Sequence, residues 1–288
     1  MSGTRTLINP AQQNRALYRT VLVLIVVAFT LAFLGPLYLL VTDGLKGTTE
    51  AIATPPTFYP HHVQFSNYSQ AWDRLSISQL LLNTLWYAFG ALAFQLVFDI
   101  GAAYSLSKLR PVLGNAVLGM MLATLMIPAM VLVVPQYLTV LDIPLLHLNL
   151  LNSPWAIWLP SVANAFNIYL LKRFFDSVPQ ELLDSAAMDG AGALRTLVSI
   201  VLPMSRPIIG VVSIFALVNV WKDFLWPLLA EPDPTKQTLN AGIYSLSLGV
   251  PQNILIAAAA ISAVPTVLFF LFFQRNIMSG LTAGSLKG

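Results

Sequence analysis

The sequence contains no cysteine and very little charge. Only 9% of its 288 residues are charged, whereas an ordinary soluble domain carries about 25%. So little charge excludes a soluble globular enzyme of this length, and an apolar fraction of 57% excludes a disordered chain. The lack of cysteine excludes a disulfide framework and thiolate metal ligands. The class that remains is an all-α polytopic membrane protein.

Motifs of catalysis and metal binding are missing as well. None of the lysines follows a glycine, so the chain has no phosphate-binding loop of the G-x-x-x-x-G-K type. The adjacent His61 and His62 fall in a loop and have no third ligand at metal-binding spacing. The net charge of +3 is small, and in a membrane protein it reports loop orientation rather than nucleic-acid binding. We therefore predict no catalytic residue, no metal site, no cofactor bound by this chain and no nucleic-acid partner.

Long uncharged stretches predict six transmembrane helices, because about 20 apolar residues are needed to cross a bilayer. The predicted spans are 20–42, 75–108, 113–135, 154–171, 207–229 and 254–273. Prolines at positions 128 and 135 are expected to bend span three, and Lys222 with Asp223 interrupts span five. The domain organisation predicted from these spans is an N-terminal segment at 1–19, a transmembrane domain at 20–276 and a tail at 277–288.

The distribution of basic residues predicts the orientation of the chain. If the N-terminus lies inside, cytoplasmic segments contain 11 of the 15 lysines and arginines. Because cytoplasmic loops of membrane proteins are enriched in lysine and arginine, both termini are predicted to be cytoplasmic. The first apolar run is longer than the core of a signal peptide, which favours a retained helix.

The predicted cytoplasmic loop at 176–206 has the pattern of two short helices. Ser177 is a suitable N-cap, and Gln180 follows at the capping-box position. Gly190 permits the left-handed turn that ends a helix. A second helix is expected from about 193 to 202, with Pro203 at its end.

The first of these helices is predicted to bind a partner. One small apolar face is expected from its leucines and alanines, namely Leu182, Leu183, Ala186 and Ala187. Glu181 and Asp184 lie beside this face. Acidic residues are repelled by anionic lipid, so a groove on a partner protein is favoured over lipid headgroups.

The sequence of this loop resembles that of a known family. Residues 181–191 read E-L-L-D-S-A-A-M-D-G-A, and residues 200–203 read I-V-L-P. This pattern is similar to the EAA loop of ABC-importer permeases, which is E-A-A, three residues, G, nine residues and I-x-L-P. The residues that match are Gly190, Ile200, Leu202 and Pro203, whereas Asp184 and Ser185 depart from the first two letters. The D-G-A triplet is typical of the carbohydrate branch, and residues 280–288 resemble the tail of the maltose-type permease.

The resemblance implies a type I permease fold in a bacterial cytoplasmic (inner) membrane, and a set of partners. These are the lipid bilayer, a second homologous permease, two ATPase subunits that bind ATP and Mg, and an extracytoplasmic sugar-binding protein. The implied ATPase-coupling residues are Glu181, Leu182, Asp184, Ser185, Ala186, Ala187, Met188, Asp189, Gly190, Ala191 and Pro203. The implied ATPase contacts of the tail are Leu281, Thr282, Gly284 and Lys287. Such a chain is the transport subunit, and ATP hydrolysis belongs to its partners.

Polar residues within the spans suggest a substrate path, since amides form hydrogen bonds with sugars and aromatic rings stack on them. The residues hypothesised for this path are Asn164, Asn167, Asn219 and Trp221. The alternative for each amide is a contact between helices, and Asp99 is compatible with a structural or a functional role. A secondary, ion-coupled transporter is the rival function. It predicts inverted repeats and several acids at the membrane midplane, whereas no clear repeat is seen and Asp99 stands alone.

Overall fold

The computed structural model describes residues 15–283 of the chain, with side-chain surroundings from residue 17 to residue 274. The α-helices in chain order are α1 (Arg15–Asp43), α2 (Thr48–Ala51), α3 (Ser66–Arg74), α4 (Ile77–Tyr104), α5 (Gly114–Thr124), α6 (Ala129–Leu141), α7 (Trp155–Trp158), α8 (Ala165–Asp176), α9 (Gln180–Met188), α10 (Ala193–Thr196), α11 (Leu202–Met204), α12 (Arg206–Lys222), α13 (Leu225–Ala230), α14 (Leu239–Leu246) and α15 (Gln252–Ala283). Turns of π-helix follow α4 and α10, at Ser105–Leu109 and Leu197–Val201. Over 15–283 the backbone forms no strand, only an isolated bridge between Ile143 and Leu148.

Several of these helices are long and apolar enough to cross a membrane. Within the described residues three such segments are continuous, at Leu17–Asp43, Ile77–Leu109 and Gln252–Gln274. Two further helix pairs pass the same test when each bent pair is taken as one span, which gives up to five. The all-α polytopic class is therefore confirmed. The predicted count of six spans is not matched exactly within these residues, and the expectation of an unbroken helix at 154–171 is wrong.

Span three is broken between α5 and α6, which meet at an angle of 106°. The break ends at Pro128, whose ψ of 128° is extended rather than helical. Proline disfavours helical geometry in the residue before it, so α5 cannot continue into α6. The expected bend at Pro128 is thus confirmed, whereas Pro135 lies inside α6 and does not interrupt it.

Span four is interrupted, with the short α7 before the interruption and α8 after it. Residues 159–164 between them are not helical. Pro160 lies at the start of this segment, and it has no N–H to donate to a preceding turn. Asn164 restarts the helix, because its side chain accepts a hydrogen bond from the backbone N–H of Asn167 at 3.1 Å.

The chain divides into two compact units. Among the described residues, the first contains 15–71 and 250–261, and the second contains 72–249 and 262–283. In the first unit the side chain of Asn67 donates hydrogen bonds to the carbonyls of Gly44 and Lys46, at 3.0 and 2.8 Å. The loop after α1 is therefore fixed by its own polar contacts.

The second unit has a core in which α4, α8 and α12 pack against one another. The buried residues of this core are Ala103, Tyr104, Ile168, Leu171, Phe175, Val201, Ile208, Val211 and Val212. At another point Gly90 lets α4 approach Trp158, since a Cβ at this position would lie 2.3 Å from the indole ring. The indole N–H of Trp158 donates a hydrogen bond to the carbonyl of Tyr87 at 3.2 Å. These contacts fix α4 as the helix that organises the second unit.

Candidate functional site

The first helix of the 176–206 loop, α9, begins later than its sequence suggests. Pro179 has extended backbone geometry and precedes the first helical residue, Gln180. Ser177 instead ends α8, and its hydroxyl donates a hydrogen bond to the carbonyl of Phe174 at 2.6 Å. The prediction of Ser177 as the N-cap of this helix is therefore wrong. The reason is that the residue before a proline is kept out of helical geometry, so α9 starts too far along the chain for Ser177 to cap it.

The end of α9 agrees with its sequence. Gly190 has a φ of +74°, in the left-handed region. Its N–H donates to the carbonyl of Ala187 at 3.0 Å, and the N–H of Ala191 donates to the carbonyl of Ala186 at 2.9 Å. These two bonds form a Schellman motif, the turn that glycine favours at the end of a helix. The predicted left-handed turn at Gly190 is confirmed.

The side chains of α9 divide between two faces. Ala186 is only 8% exposed, and Leu183 packs against the core of α4, α8 and α12. We call the remainder the exposed α9 surface, which consists of Glu181, Leu182, Asp184, Ser185, Ala187, Met188 and Asp189. The single apolar face predicted for this helix is therefore wrong, because two of its members face the chain's own core. What is exposed is a mixture of acidic, small and apolar side chains, with Met188 89% exposed.

The second helix of the loop does not end at Leu202. It continues as α10, a π-turn and α11, and Pro203 lies in the first turn of α11. The predicted end at Pro203 is wrong. Proline lacks the N–H that donates a hydrogen bond in an α-helix, but the preceding π-turn has already interrupted the α-helical hydrogen bonds. The first turn of α11 therefore accommodates Pro203. The helix ends at Met204, and the chain then bends by 84° into α12.

Polar contacts attach the start of the loop to the π-turn that follows α4, and sequence reasoning missed them. We call them the α4–α8 contact cluster, which consists of Ser107, Lys108, Lys172, Asp176 and Val178. Asp176 accepts hydrogen bonds from the hydroxyl of Ser107 at 2.7 Å and from the amine of Lys172 at 2.8 Å. Lys108 donates to the carbonyl of Val178 at 3.1 Å. The signal that points to the cluster is the concentration of lysine and arginine at the ends of spans two and four.

Charge and hydrogen bonding stabilise the ionised form of Asp176. Burial alone would raise the pKa of this carboxyl, but the Lys172 amine and the Ser107 hydroxyl outweigh it and hold the pKa below its usual range. The carboxylate is therefore charged at neutral pH. It accepts both hydrogen bonds in that state.

A cavity of about 300 Å³ lies at the breaks in spans three and four. Ala129, the first residue of α6, lines it, as do Pro160 and Ser161 from the segment between α7 and α8. Its polar lining residues are Gln136, Ser161, Asn219 and Asp223, and the remainder are apolar. Such a mixture is typical of small-molecule sites.

The four residues hypothesised for a substrate path are not brought together. Asn219 lines the cavity. Trp221 is buried elsewhere, with its indole N–H donating to the carbonyl of Ser262 at 3.2 Å. Asn164 and Asn167 lie at the start of α8, beside Asp99. Sequence reasoning missed Ser161, although a proline within a span is a signal for such a position.

The tail residues lie at the limit of what the structure describes. Leu281 and Thr282 fall in the last turn of α15, which ends at Ala283. Their side chains, and the whole of Gly284 and Lys287, lie outside the described residues. The expected ATPase contacts of the tail stay a prediction.

Comparison with known proteins places the chain in a family. The model of the binding-protein-dependent transport system inner membrane component family matches residues 96–281. The sulfoquinovosyl glycerol transport system permease protein of Agrobacterium fabrum is 31% identical over 259 residues, which cover 88% of this chain and 89% of that protein. The melibiose/raffinose/stachyose import permease protein of Bacillus subtilis is 30% identical over 257 residues, which cover 88% and 91%.

Solved structures agree with this fold. The crystal structure of a bacterial ABC transporter involved in the import of the acidic polysaccharide alginate matches with a TM-score of 0.78 at 21% identity. The match covers 91% of this chain and 97% of that chain. The relatives named above import carbohydrates. From the family match and these relatives, the chain belongs to the binding-protein-dependent transport system inner membrane components: it is a type I ABC-importer permease, a transport subunit rather than an enzyme.

Proposed function

We propose that this chain forms half of the translocation path of an ATP-driven carbohydrate importer and couples to a cytoplasmic ATPase through the exposed α9 surface. Its partners in this proposal are a second homologous permease, two ATPase subunits and an extracytoplasmic sugar-binding protein. ATP and Mg are bound by the ATPase subunits. Both termini and α9 lie on the cytoplasmic side of a bacterial inner membrane, in accordance with the distribution of lysine and arginine.

The observation that carries the coupling proposal is the geometry of α9. The helix exposes three acidic residues, Glu181, Asp184 and Asp189, together with apolar Leu182 and Met188. Its opposite face packs on the chain's own core. A partner that binds such a helix contacts both its apolar side chains and its charged side chains. Because Leu183 and Ala186 fix α9 to the bundle, a force on the exposed surface is carried into the helices of the second unit.

The relatives support a carbohydrate as the substrate class. The relatives in Agrobacterium fabrum and Bacillus subtilis are named for sulfoquinovosyl glycerol and for melibiose, raffinose and stachyose. In this chain the cavity offers amides from Gln136 and Asn219, a carboxylate from Asp223 and an indole from Trp226. These groups suit sugar hydroxyls and the apolar face of a sugar ring. We therefore propose that the cavity is this subunit's share of the substrate path.

The substrate proposal is tested with Asn219→Ala in the complete transporter, reconstituted in proteoliposomes. Loss of one hydrogen bond of about 0.5–1.5 kcal/mol weakens binding by roughly two- to tenfold. We expect the sugar concentration that gives half-maximal transport to rise by this factor. A panel of mono- and disaccharides and glycerol-linked sugars identifies the substrate.

The matched control is Trp221→Phe, which changes a neighbouring aromatic residue that does not line the cavity. It is expected to leave the half-maximal concentration unchanged. If Asn219→Ala transports the sugar with native affinity, the cavity is not part of the path. Transport that proceeds without any ATPase subunit would instead support an ion-coupled transporter.

A further inference from the structure

A fully buried acid, Asp99, lies within α4 and contacts the interrupted fourth span. Its side chain is 0% exposed. One carboxylate oxygen accepts a hydrogen bond from the backbone N–H of Asn164 at 2.9 Å. The side-chain amides of Gln95 and Asn167 lie beside the same carboxylate. We call Asp99, Asn164 and Asn167 the polar cap.

The polar cap holds the start of α8. The first N–H groups of a helix have no partner within the helix and carry partial positive charge. Asp99 supplies a negatively charged or strongly accepting partner to one of these groups, and the side chain of Asn164 supplies a second acceptor to Asn167. A carboxyl group is costly inside a membrane protein and is retained where it has a task. Here the carboxyl group of Asp99 is bonded to Asn164, where the helix of span four resumes.

The polar cap and the α4–α8 contact cluster lie at opposite ends of the same helix. The 12 residues of α8 correspond to a length of about 18 Å. At the far end Asp176, and Val178 just beyond α8, are bonded to Ser107 and Lys108 in the π-turn that continues α4. α8 is thus fixed to α4 at both ends. The two helices are positioned to move as one body.

Both ends of α8 adjoin functional segments. Beyond Asp176 the chain enters α9 at Gln180. Before Asn164 the chain passes Pro160 and Ser161, which line the cavity. The carboxylate of Asp99 therefore lies between the segment that binds the ATPase in our proposal and a wall of the cavity.

We infer that Asp99 is a positioning residue that transmits displacement of α9 to the cavity wall at Pro160 and Ser161, by holding the start of α8 against α4. The inference rests on the proposed function, because it takes α9 as the ATPase-binding helix. A residue that only stabilised the helix bundle would have no part in the transport cycle, whereas Asp99 has one in this inference. When the cap is removed, α8 keeps its attachment at the Asp176 end and loses it at the Asn164 end. Motion of α9 then no longer reaches the cavity.

The absence of native cysteine makes this testable by single-cysteine labelling. Met188→Cys reports on α9, and Ser161→Cys reports on the cavity. Each is placed in the complete transporter with its binding protein, and the maleimide labelling rate is measured before and after addition of ATP and vanadate. With Asp99 present, we expect both rates to change at least threefold. With Asp99→Leu, the rate at position 188 still changes, whereas the rate at position 161 stays within a factor of 1.5.

Rescue and control variants separate positioning from general stability. Asp99→Asn keeps an oxygen that accepts the N–H of Asn164, and it is expected to restore the response at position 161. Thr84→Val alters another buried polar residue of α4, one that is bonded to Leu239 of α14, and should leave both responses intact. If Asp99→Leu fails to assemble, Asp99→Ala replaces it, since the smaller side chain introduces no steric overlap.

The outcomes distinguish the two proposals. A native response at position 161 in Asp99→Leu or Asp99→Ala overturns the role of Asp99 while the coupling proposal stands. So does a failure of Asp99→Asn to restore that response. If position 188 does not respond even with Asp99 present, the assignment of α9 as the ATPase-binding helix fails instead.

Discussion

Gly190 is the position at which a single methyl group should uncouple this permease. Its φ of +74° lies where an L-residue meets its own carbonyl oxygen, at a cost of about 1–2 kcal/mol. A Cβ at this position would have no heavy atom within 4 Å, so the cost of Gly190→Ala comes from the backbone alone. This energy changes the equilibrium of the turn by about 5- to 30-fold.

The turn determines where the end of α9 points. When Gly190 leaves the left-handed region, its N–H and that of Ala191 lose their bonds to the carbonyls of Ala187 and Ala186. The last turn of the helix, with Met188 and Asp189, then departs from its position on the exposed α9 surface. Under the proposed function we expect binding of the ATPase to weaken by up to the same factor of about 5 to 30, because only the fraction with the native turn is competent to bind.

The assay is ATP hydrolysis stimulated by the sugar-loaded binding protein, measured in proteoliposomes that contain equal amounts of inserted permease. Gly192→Ala is the matched control. Gly192 lies two residues away with a φ of −72°, a Cβ there would meet no heavy atom within 4 Å, and the variant should behave as the native chain. Gly190→Asn should be intermediate, since asparagine tolerates left-handed geometry better than alanine. Native stimulation in Gly190→Ala, or an equal loss in Gly192→Ala, would refute the reasoning.

Two further predictions concern the stability of the second unit. Gly90→Ala places a methyl group 2.3 Å from the Trp158 ring, and we expect it to lower the free energy of unfolding by about 1–3 kcal/mol. The control is Gly101→Ala on the same helix, which meets no atom within 4 Å and should be neutral. Equal melting temperatures for the two variants would contradict the close packing of α4 on Trp158. Burial raises the pKa of Glu231, which follows α13, to about 7 from an ordinary 4.5, despite the nearby Lys236 ammonium. The charged form is therefore disfavoured in the folded state: the cost is absent below pH 4.5, grows towards pH 7 and is complete above it, on the order of 3 kcal/mol. Glu231→Gln should accordingly raise the melting temperature relative to the native protein more at pH 8 than at pH 5. A difference in melting temperature that does not depend on pH would contradict the raised pKa of Glu231.

Local sequence chemistry predicted the features that depend on one or two neighbouring residues. Uncharged runs located the long helices α1, α4 and α15, and Gly190 indicated its own left-handed turn. Ser177 misled for an equally local reason, since the effect of Pro179 on its neighbour outweighs the capping tendency of serine. Weighing the two signals together would have placed the start of α9 correctly.

Features that depend on tertiary packing were beyond the sequence. Leu182 and Leu183 are chemically identical neighbours, and only the core of α4, α8 and α12 decides that Leu183 packs inward. The cavity combines side chains from α6, α12 and the interrupted fourth span, so no one segment of sequence indicates it. Asp99 could be identified as an unusual acid in a span, but its partner lies 65 residues away, at Asn164.

In the proposed function the exposed α9 surface binds a cytoplasmic ATPase. Cross-linking from Met188→Cys, in a chain that otherwise has no cysteine, tests it most directly. In the complete transporter we predict an adduct between position 188 and the ATPase subunit whose yield changes when ATP and vanadate are added. An adduct with the external binding protein, or labelling of position 188 by a membrane-impermeant reagent in intact cells, would contradict the account.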